Sequence, residues 1–179
     1  MALKASIYKA ELQISDIDRN YYHSHQLTIA RHPSENEERM MVRLLAFIRH
    51  ADERLKFTKG ISTDDEPDIW QRSLSNEIEL WIELGQPDEK RIRKACGRAE
   101  KVYLYLYGGH GAELWWEQNS NRLGSISNLH IYNLPPEQRD ELSILAKKNM
   151  ALQVTIQDEE IWISSAEQSA TINLQCWKE

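Results

Sequence analysis

Between Glu77 and Leu84 the chain alternates without a break, with Ile78, Leu80, Ile82 and Leu84 on one side and Glu77, Glu79, Trp81 and Glu83 on the other. A period of two is the pattern of a β-strand. The next twenty residues narrow the choice of fold. Gly85 ends the run, Pro87 suits a first helical position, Asp88 and Glu89 suit a first turn, and Ile92, Ala95, Cys96 and Ala99 recur at the spacing of a packed helix. Val102 to Tyr107 then reads as another strand, running into Gly108-Gly109-His110-Gly111. Strand, helix and strand in succession favour a parallel pair, because parallel neighbours need a crossover connection. The expected class is therefore mixed α/β.

The flanking segments fit that class. Lys4 to Asp16 alternates through Ile7, Ala10, Leu12 and Ile14, and Gln26 to Ala30 does so around Tyr22, Leu27 and Ile29, which reads as an antiparallel hairpin with one covered face. Ser34 and Glu37 form a capping box ahead of Met41, Leu44, Leu45, Ile48, Ala51 and Leu55, the stripe of a long amphipathic helix. Arg39, Arg43 and His50 are expected to point away from that stripe, and Glu38 falls on its buried side. Gly60 and the acidic run Asp64-Asp65-Glu66-Pro67-Asp68 lead through Ile69-Trp70 to a turn around Ser73 to Asn76.

Beyond the glycines we expect a strand at Ala112 to Trp116, a polar loop at Asn119 to Gly124, a strand at Leu129 to Tyr132 and a helix started by Pro135-Pro136. Three strands come after it, at Leu152 to Ile156, Ile161 to Ser164 and Thr171 to Cys176. Neither a repeat nor a linker interrupts the chain, so residues 1–179 read as a single domain.

Composition excludes several classes. The 22 basic and 28 acidic residues give a net charge of −6 over 179 residues. A chain of this length buries roughly 70% of the surface its unfolded form exposes and needs no disulfide or structural metal. Cys96 and Cys176 lie far apart without partners at ligand spacing, which suits reduced thiols in the cytoplasm. Mean hydropathy of −0.64 argues against a membrane protein, as does the lack of an apolar run near the roughly 20 residues of a spanning helix. The opening Met1-Ala2-Leu3-Lys4 leads straight into an alternating segment rather than a signal sequence. Acidity also argues against nonspecific nucleic-acid binding, which depends on many Lys and Arg contacts. The charge is uneven, however: six basic residues fall between Lys90 and Lys101, beside acids at Asp64 to Asp68 and Glu77 to Glu83.

The chemistry worth testing joins Glu38, Asp68 and Glu83. Asp68 and Glu83 lie on successive strands joined by a short turn, so pairing can bring both carboxylates to one sheet edge. Paired carboxylates repel unless a cation sits between them, and Mg²⁺ takes such oxygen ligands while keeping several waters. The ion could activate water against a phosphodiester, with Glu38 as a third carboxylate or water-holding base. The helix starting near Pro87 would offer its positive end to a phosphate. Equally, Glu77 and Glu79 suggest that this strand face is simply solvated.

Ala30-Arg31-His32-Pro33-Ser34-Glu35 with Glu38-Arg39-Met40-Met41, Asp64-Asp65-Glu66-Pro67, and Trp81-Ile82-Glu83-Leu84-Gly85-Gln86-Pro87-Asp88-Glu89-Lys90-Arg91-Ile92 resemble the YaeQ family. The resemblance runs from the N-terminus to Val154-Thr155-Ile156-Gln157-Asp158. It implies a restriction-endonuclease-like core, a mixed central sheet flanked by helices, with an N-terminal β-hairpin and extra C-terminal strands. It also implies a divergent PD-(D/E)XK nuclease site: Asp68 as first acid, with Asp65 or Glu66 near enough to substitute, Glu83 as second, and Glu38 as the helix acid. Asp68 and Glu83 would hold Mg²⁺.

The lysine that pattern wants two residues after the second acid is here Gly85. Gln86 could stand in if Gly85 makes a bulge. Arg91 and Arg93, on the flanks of the next helix, could lean toward the sheet and meet phosphate. Lys90, Lys94, Arg98 and Lys101 point toward solvent and read as a partner-binding ridge.

Other features read as structural. His23 and His25 lack a third ligand at local spacing, Gly108 to Gly111 lacks a Gly-Lys-Ser/Thr sequence, at most one of Trp115 and Trp116 is free to stack on a base, and Cys96 sits on the packed side of its helix. Two functions are expected on these grounds. One is a divergent Mg²⁺-dependent phosphodiesterase or nuclease using Glu38, Asp68, Glu83 and Gln86. The other is a non-catalytic descendant of that fold that binds nucleic acid or protein through the basic residues.

Overall fold

The pairing of the alternating segments decides how many sheets they build. The structure, a computed structural model, describes residues 3–59 and 65–179. Met1, Ala2, Gly60 at the start of the expected loop or strand entry, and the first acid of the acidic run, Asp64, lie outside the described residues. In chain order the elements are β1 (Ser6–Asp16), β2 (Tyr21–Arg31), α1 (Glu37–Arg49), β3 (Leu55–Phe57), β4 (Ile69–Arg72), β5 (Ile78–Leu84), α2 (Glu89–Arg98), β6 (Ala99–Leu106), α3 (His110–Leu123), β7 (Leu129–Asn133), α4 (Pro136–Ile144), β8 (Asn149–Gln157), β9 (Glu160–Ser164), β10 (Ser169–Ile172) and β11 (Gln175–Lys178). The mixed α/β class holds. In place of one central sheet there are two, of five and six strands. They belong to two compact units, Met1–Ile48 with Glu137–Leu174 and Arg49–Pro136 with Gln175–Glu179.

In the first unit the sheet order is β10-β9-β8-β1-β2. The expected hairpin is present, paired from Ser6↔Arg31 to Asp16↔Tyr21, and Asn20 closes it at φ 53, a conformation asparagine tolerates. Tyr8, Ala10, Leu12 and Ile14 form the buried row of β1, whereas Ile7 is exposed. A period of two cannot hold Ile7 and Ala10 on one face, and the even positions won. The parallel partner β8 aligns Met150, Leu152 and Val154 with Ala10, Leu12 and Ile14, and β9 carries Ile161 and Ile163 on from there.

Helix α1 differs from its amphipathic expectation. Asn36, not Ser34, caps it, accepting the Arg39 N–H at 2.8 Å, while the Ser34 hydroxyl pairs with His32 Nδ1. The helix stops at Arg49, and Leu55 opens a strand instead of ending the stripe. Every residue from Met40 to Ile48 is buried, including Arg43, which was expected to face solvent. A buried guanidinium needs a counter-charge. Glu35, only 3% exposed, supplies it: its carboxylate takes Arg43 Nη2 and Arg39 Nη1, each at 2.7 Å, and its carbonyl accepts from Arg31 Nη1.

In the second unit the order is β11-β7-β6-β5-β4-β3. The parallel pair expected from the crossover is there, β5 with β6, and β6 is also parallel to β7. That second parallel pairing demands its own crossover, which is why Ala112 to Trp116 and Asn119 to Leu123 lie in helix α3, with Gly124 as its C-cap, rather than forming a strand and a loop. Tertiary demand overrides the strand preference of two adjacent tryptophans. Trp81, Val102, Leu104, Leu106, Leu129 and Ile131 pack in one core with Ile92 and Ala95 of α2 and Ala112 and Leu123 of α3. The strand expected over Thr171 to Cys176 is two: β10 closes the first sheet, and β11 pairs with β7 in the second. The chain breaks at Asn173, whose N–H donates to Gln138 Oε1 at 2.7 Å.

Replacing Glu35 with alanine leaves Arg43 buried without its carboxylate and should cost about 3 kcal/mol. Arg39→Ala should cost less than half of that, because Arg39 retains contact with water; urea unfolding of the two variants checks the order.

Candidate functional site

Strand β5 ends in a run buried on both faces: Trp81, Ile82, Glu83 and Leu84. The solvated glutamate face therefore holds only for its first half, where Glu77 is exposed and Glu79 pairs with Arg54 and Gln71. Glu83 is 5% exposed and its carboxylate is filled. Arg91 Nε–H is shared between both oxygens at 2.8 and 3.0 Å, and Trp81 Nε1–H donates to Oε1 at 3.0 Å. Arg91 Nη2 continues to the Glu66 carbonyl at 2.9 Å. The reason lies in local sequence. Asp88 caps α2 by accepting the Arg91 N–H, so Asp88 precedes the helix rather than lying in its first turn, and Arg91 is set to reach β5.

Asp68, 7% exposed, stands just before β4. Its N–H bonds to the Ile82 carbonyl, and its Oδ2 accepts the Leu84 N–H at 3.0 Å. The side chain thus takes over where the β4–β5 ladder, which pairs Ile69 with Ile82, leaves off. Asp68 and Glu83 reach the same end of β5, an interior strand of its sheet, with their carboxylates bound to different partners. Glu38 belongs to the other unit, where it is half exposed rather than buried and faces Arg139 at 3.4 Å.

Among the described residues no three acidic, histidine or cysteine side chains group in a way that could hold a metal. The donors present do not fit the Mg²⁺ site that the resemblance implies. Glu83 spends both oxygens on an arginine, and Asp68 spends one on a backbone N–H.

The candidates for the missing lysine separate. Gly85 does bend the chain, at φ +91, and its N–H still bonds to the Tyr105 carbonyl. Gln86 is thereby turned to the glycine loop: a Cβ at Gly108 would sit 2.6 Å from Gln86 Nε2. Its amide nitrogen lies against Gly108 and Gly111. Arg91 is the flank residue that leans to the sheet. Arg93 instead pairs with Glu89 at 2.8 Å and with the Arg122 carbonyl.

The basic ridge is largely self-neutralised. Lys94 pairs with Asp65 at 2.9 Å, Arg98 donates to the Asp65 carbonyl and lies over Trp81, and Lys101 is on β6, not on the helix. The hydrogen bond from Lys94, with its charge, lowers the Asp65 pKa, and that from Arg93 lowers the Glu89 pKa.

What sequence reasoning missed is a groove between α2 and α3. It encloses about 740 Å³ lined by Gln86, Lys90, Arg93, Trp115, Asn119 and Arg122, with Glu89 set between the two arginines. Trp115 donates its indole N–H to the Pro87 carbonyl at 3.1 Å, and Trp116 stacks on Trp177. Both tryptophans are half buried. A signal for the groove exists, since Ala112, Trp115, Trp116 and Leu123 have helical spacing, but the strand preference of adjacent tryptophans masks it. His25 and His23 serve the hairpin: Tyr21 bonds to His25 at 2.7 Å and lies against His23.

These features define a two-sheet mixed α/β protein with a β-α-β-α-β core, its inward carboxylates held by arginine and backbone. The chain belongs to the YaeQ family, whose model, described as YaeQ protein, matches residues 1–174. It is 49% identical over 179 residues to an Escherichia coli K12 protein described as uncharacterized protein YaeQ, covering 100% of this chain and 99% of that one. The crystal structure of the YaeQ protein from Xanthomonas axonopodis pv. citri superposes with a TM-score of 0.94 at 45% identity, over 97% of this chain and 98% of that one. The Pseudomonas syringae YaeQ crystal structure gives 0.91 at 34% identity, over 98% and 97%. No described helix is long and apolar enough to cross a membrane.

Arg91→Ala should destabilise the fold by about 2 kcal/mol by stranding Glu83, and Arg91→Lys should recover only part of that, since an ammonium cannot reproduce the Glu83 and Glu66 contacts together. Thermal unfolding of the three proteins reads the order. Burial pushes the Cys96 thiol up to about 11. The thiolate is the nucleophile, so iodoacetamide at pH 8 should label exposed Cys176 and spare Cys96, with Cys96 labelling rising only above about pH 10; peptide mass spectrometry distinguishes the two.

Proposed function

We propose that this chain is a non-catalytic, partner-binding relative of the restriction-endonuclease-like fold. The observation that carries this reading is the Glu83–Arg91 pair: the second acid of the nuclease pattern is spent on a guanidinium instead of a cation and a water. A nuclease would also need a group to orient the attacking water and stabilise developing charge, and Gly85 and Gln86 provide none next to Glu83. The partner is a protein segment received in the α2–α3 groove. A half-buried tryptophan ringed by alternating charges is the composition of a protein interface centre, and the groove acid Glu89 counts against a nucleic-acid backbone.

The nuclease reading is the second one, favoured by the position of Asp68 and Glu83 at the same end of β5. Under the partner-binding reading, Mn²⁺ should give no calorimetric binding signal and no rise in melting temperature, and wild type and Glu83→Gln should be equally inert on single- and double-stranded DNA and RNA. Mn²⁺-dependent cleavage that disappears in Glu83→Gln would establish the enzyme instead. Reversing Lys90 to glutamate should weaken binding of a protein partner without changing the melting temperature by more than about 2 °C, because Lys90 is an exposed residue.

A further inference from the structure

A strand at the edge of a sheet presents backbone N–H and C=O groups that another strand can pair with. Among the described residues the edge strands are β2 and β10 in the first unit and β3 and β11 in the second. Three of them are short: β3 has three residues, β10 has four, and β11 has four with a shift in its register to β7. β2 is different. It runs for 11 residues in unbroken register with β1, and from Tyr21 to Ala30 it carries no charged residue, proline or glycine. Shortness, charge, proline and bulges are the devices that discourage edge pairing, and β2 uses none of them over this stretch.

The direction of its free groups follows from β1. The Lys9 N–H bonds to the Lys148 carbonyl and the Ile17 N–H to the Ile156 carbonyl, each at 2.8 Å. The odd positions of β1 therefore turn their backbone groups to β8, and the even positions turn theirs to β2. Those even positions pair with odd ones of β2, from Ser6↔Arg31 to Asp16↔Tyr21. Tyr22, Ser24, Gln26, Thr28 and Ala30 are left directing their N–H and C=O away from the sheet. At Ala30 the fold supplies a cap, since Arg43 Nη2 donates to that carbonyl at 3.1 Å. From Tyr22 to Thr28 the strand stands open, with Tyr22, His23, Ser24, Gln26 and Thr28 all exposed.

The two ends of the strand differ in charge, and that decides what fits beside it. At the hairpin end Asp18 accepts the N–H groups of Asp158 and Glu159, each at 2.8 Å. Three acids gather there, next to Arg19, which is spent on Asp16 at 2.6 Å. At the other end Arg31 and Lys148 lie over the Tyr8 ring, 5.8 and 4.4 Å from its centre, and Lys9 is in register with Thr28. Glu35, near this end, is spent on Arg39 and Arg43. One end is thus acidic and the other basic. A second copy of the same strand, related by a two-fold axis and hence antiparallel, sets each acidic end against a basic one.

The neutral middle is self-complementary as well. About an axis at His25, Tyr22 meets Thr28 of the second copy and Ser24 meets Gln26 of the second copy, so outward donors and acceptors face each other and no like charges are opposed. Leu27 and His25 are half-buried on the face turned to α1, where His25 meets Phe47 edge-on. Pairing would cover what remains exposed of both.

We propose that β2 pairs antiparallel with β2 of a second copy of this chain, joining the two five-stranded sheets into one continuous sheet.

Sedimentation velocity of the whole chain over a range of concentrations, with hydrogen exchange of the same samples, tests it. The chain should pass from monomer to dimer as concentration rises, and the amides of Ser24, Gln26 and Thr28 should exchange about tenfold or more slowly in the dimer. Raising salt should weaken the dimer, because the ends attract by charge. Ser24→Pro removes an outward N–H without removing a bond to β1, and should abolish the dimer. Ser24→Lys/Gln26→Lys sets lysines opposite each other across the axis and should raise the dissociation constant about tenfold or more. Gln153→Lys, exposed on the interior strand β8, should leave it unchanged. A monomer at every concentration overturns the proposal. So does a dimer in which those three amides stay unprotected, or one that the lysine double variant, checked by circular dichroism to be folded, does not weaken. A chain that stays monomeric but protects the same amides when an unrelated extended peptide is added takes a different strand at this edge, which also overturns it.

Discussion

Charge that is taken out of water must meet charge, and this one constraint organises the protein. Helix α1 is buried through nine consecutive positions, one of them an arginine, and the fold answers by bringing Glu35 to it. Strand β5 is buried on both faces at its end, one position there being a glutamate, and the answer is Arg91 from α2. Each pair ties together elements that have no local reason to approach: a loop with a helix in one case, a strand with a crossover helix in the other. Removing a partner from such a pair is far worse than never having buried it, which makes both contacts specific as well as stabilising. Asp68 obeys the same rule with a backbone partner, its carboxylate closing the ladder at Leu84.

The same constraint bears on function. A buried carboxylate already held by a guanidinium and an indole N–H is a poor ligand for a divalent cation, since the metal would have to displace those donors. Glu83 and Asp68 are thus both engaged in contacts that hold the fold. Fold likeness carries no activity by itself, and the close structural match to other YaeQ proteins speaks to architecture. Arg49 is the counter-example within the molecule. It meets the phenols of Tyr105 and Tyr132 rather than a carboxylate.

Much of the architecture is legible in the sequence because its signals are local. The hairpin, β5, α2, β6, β7, α4 and β9 all announce themselves through period, glycine or proline. Where expectation and structure part, the causes are particular. The β-propensity of Ala112 to Trp116 favours a strand, but a second parallel pairing needs a helix there. Thr171 to Cys176 has the pattern of one strand because nothing in its composition marks Asn173 as the point where the chain changes sheets. Ser34 and Asn36 are both good caps, and the choice between them rests on His32 taking the serine. Of the candidate site, the placing of Asp68 and Glu83 at the same end of β5 is legible from strand order. The role of Arg91 is only half legible, as a residue on the flank of its helix, because its target depends on where β5 lies beneath α2.

By itself the sequence determined the class of the fold, the parallel β5–β6 pair and the family, since alternation, crossover length and contiguous motifs are properties of neighbours along the chain. Only the tertiary structure decided which charges cancel and which do not. Glu83 with Arg91, Arg43 with Glu35, Lys94 with Asp65 and Arg49 with Tyr105 are relations between residues eight, eight, twenty-nine and fifty-six positions apart. Electrostatic energy depends on distance and on exclusion of water, and neither quantity exists until the sheets have formed.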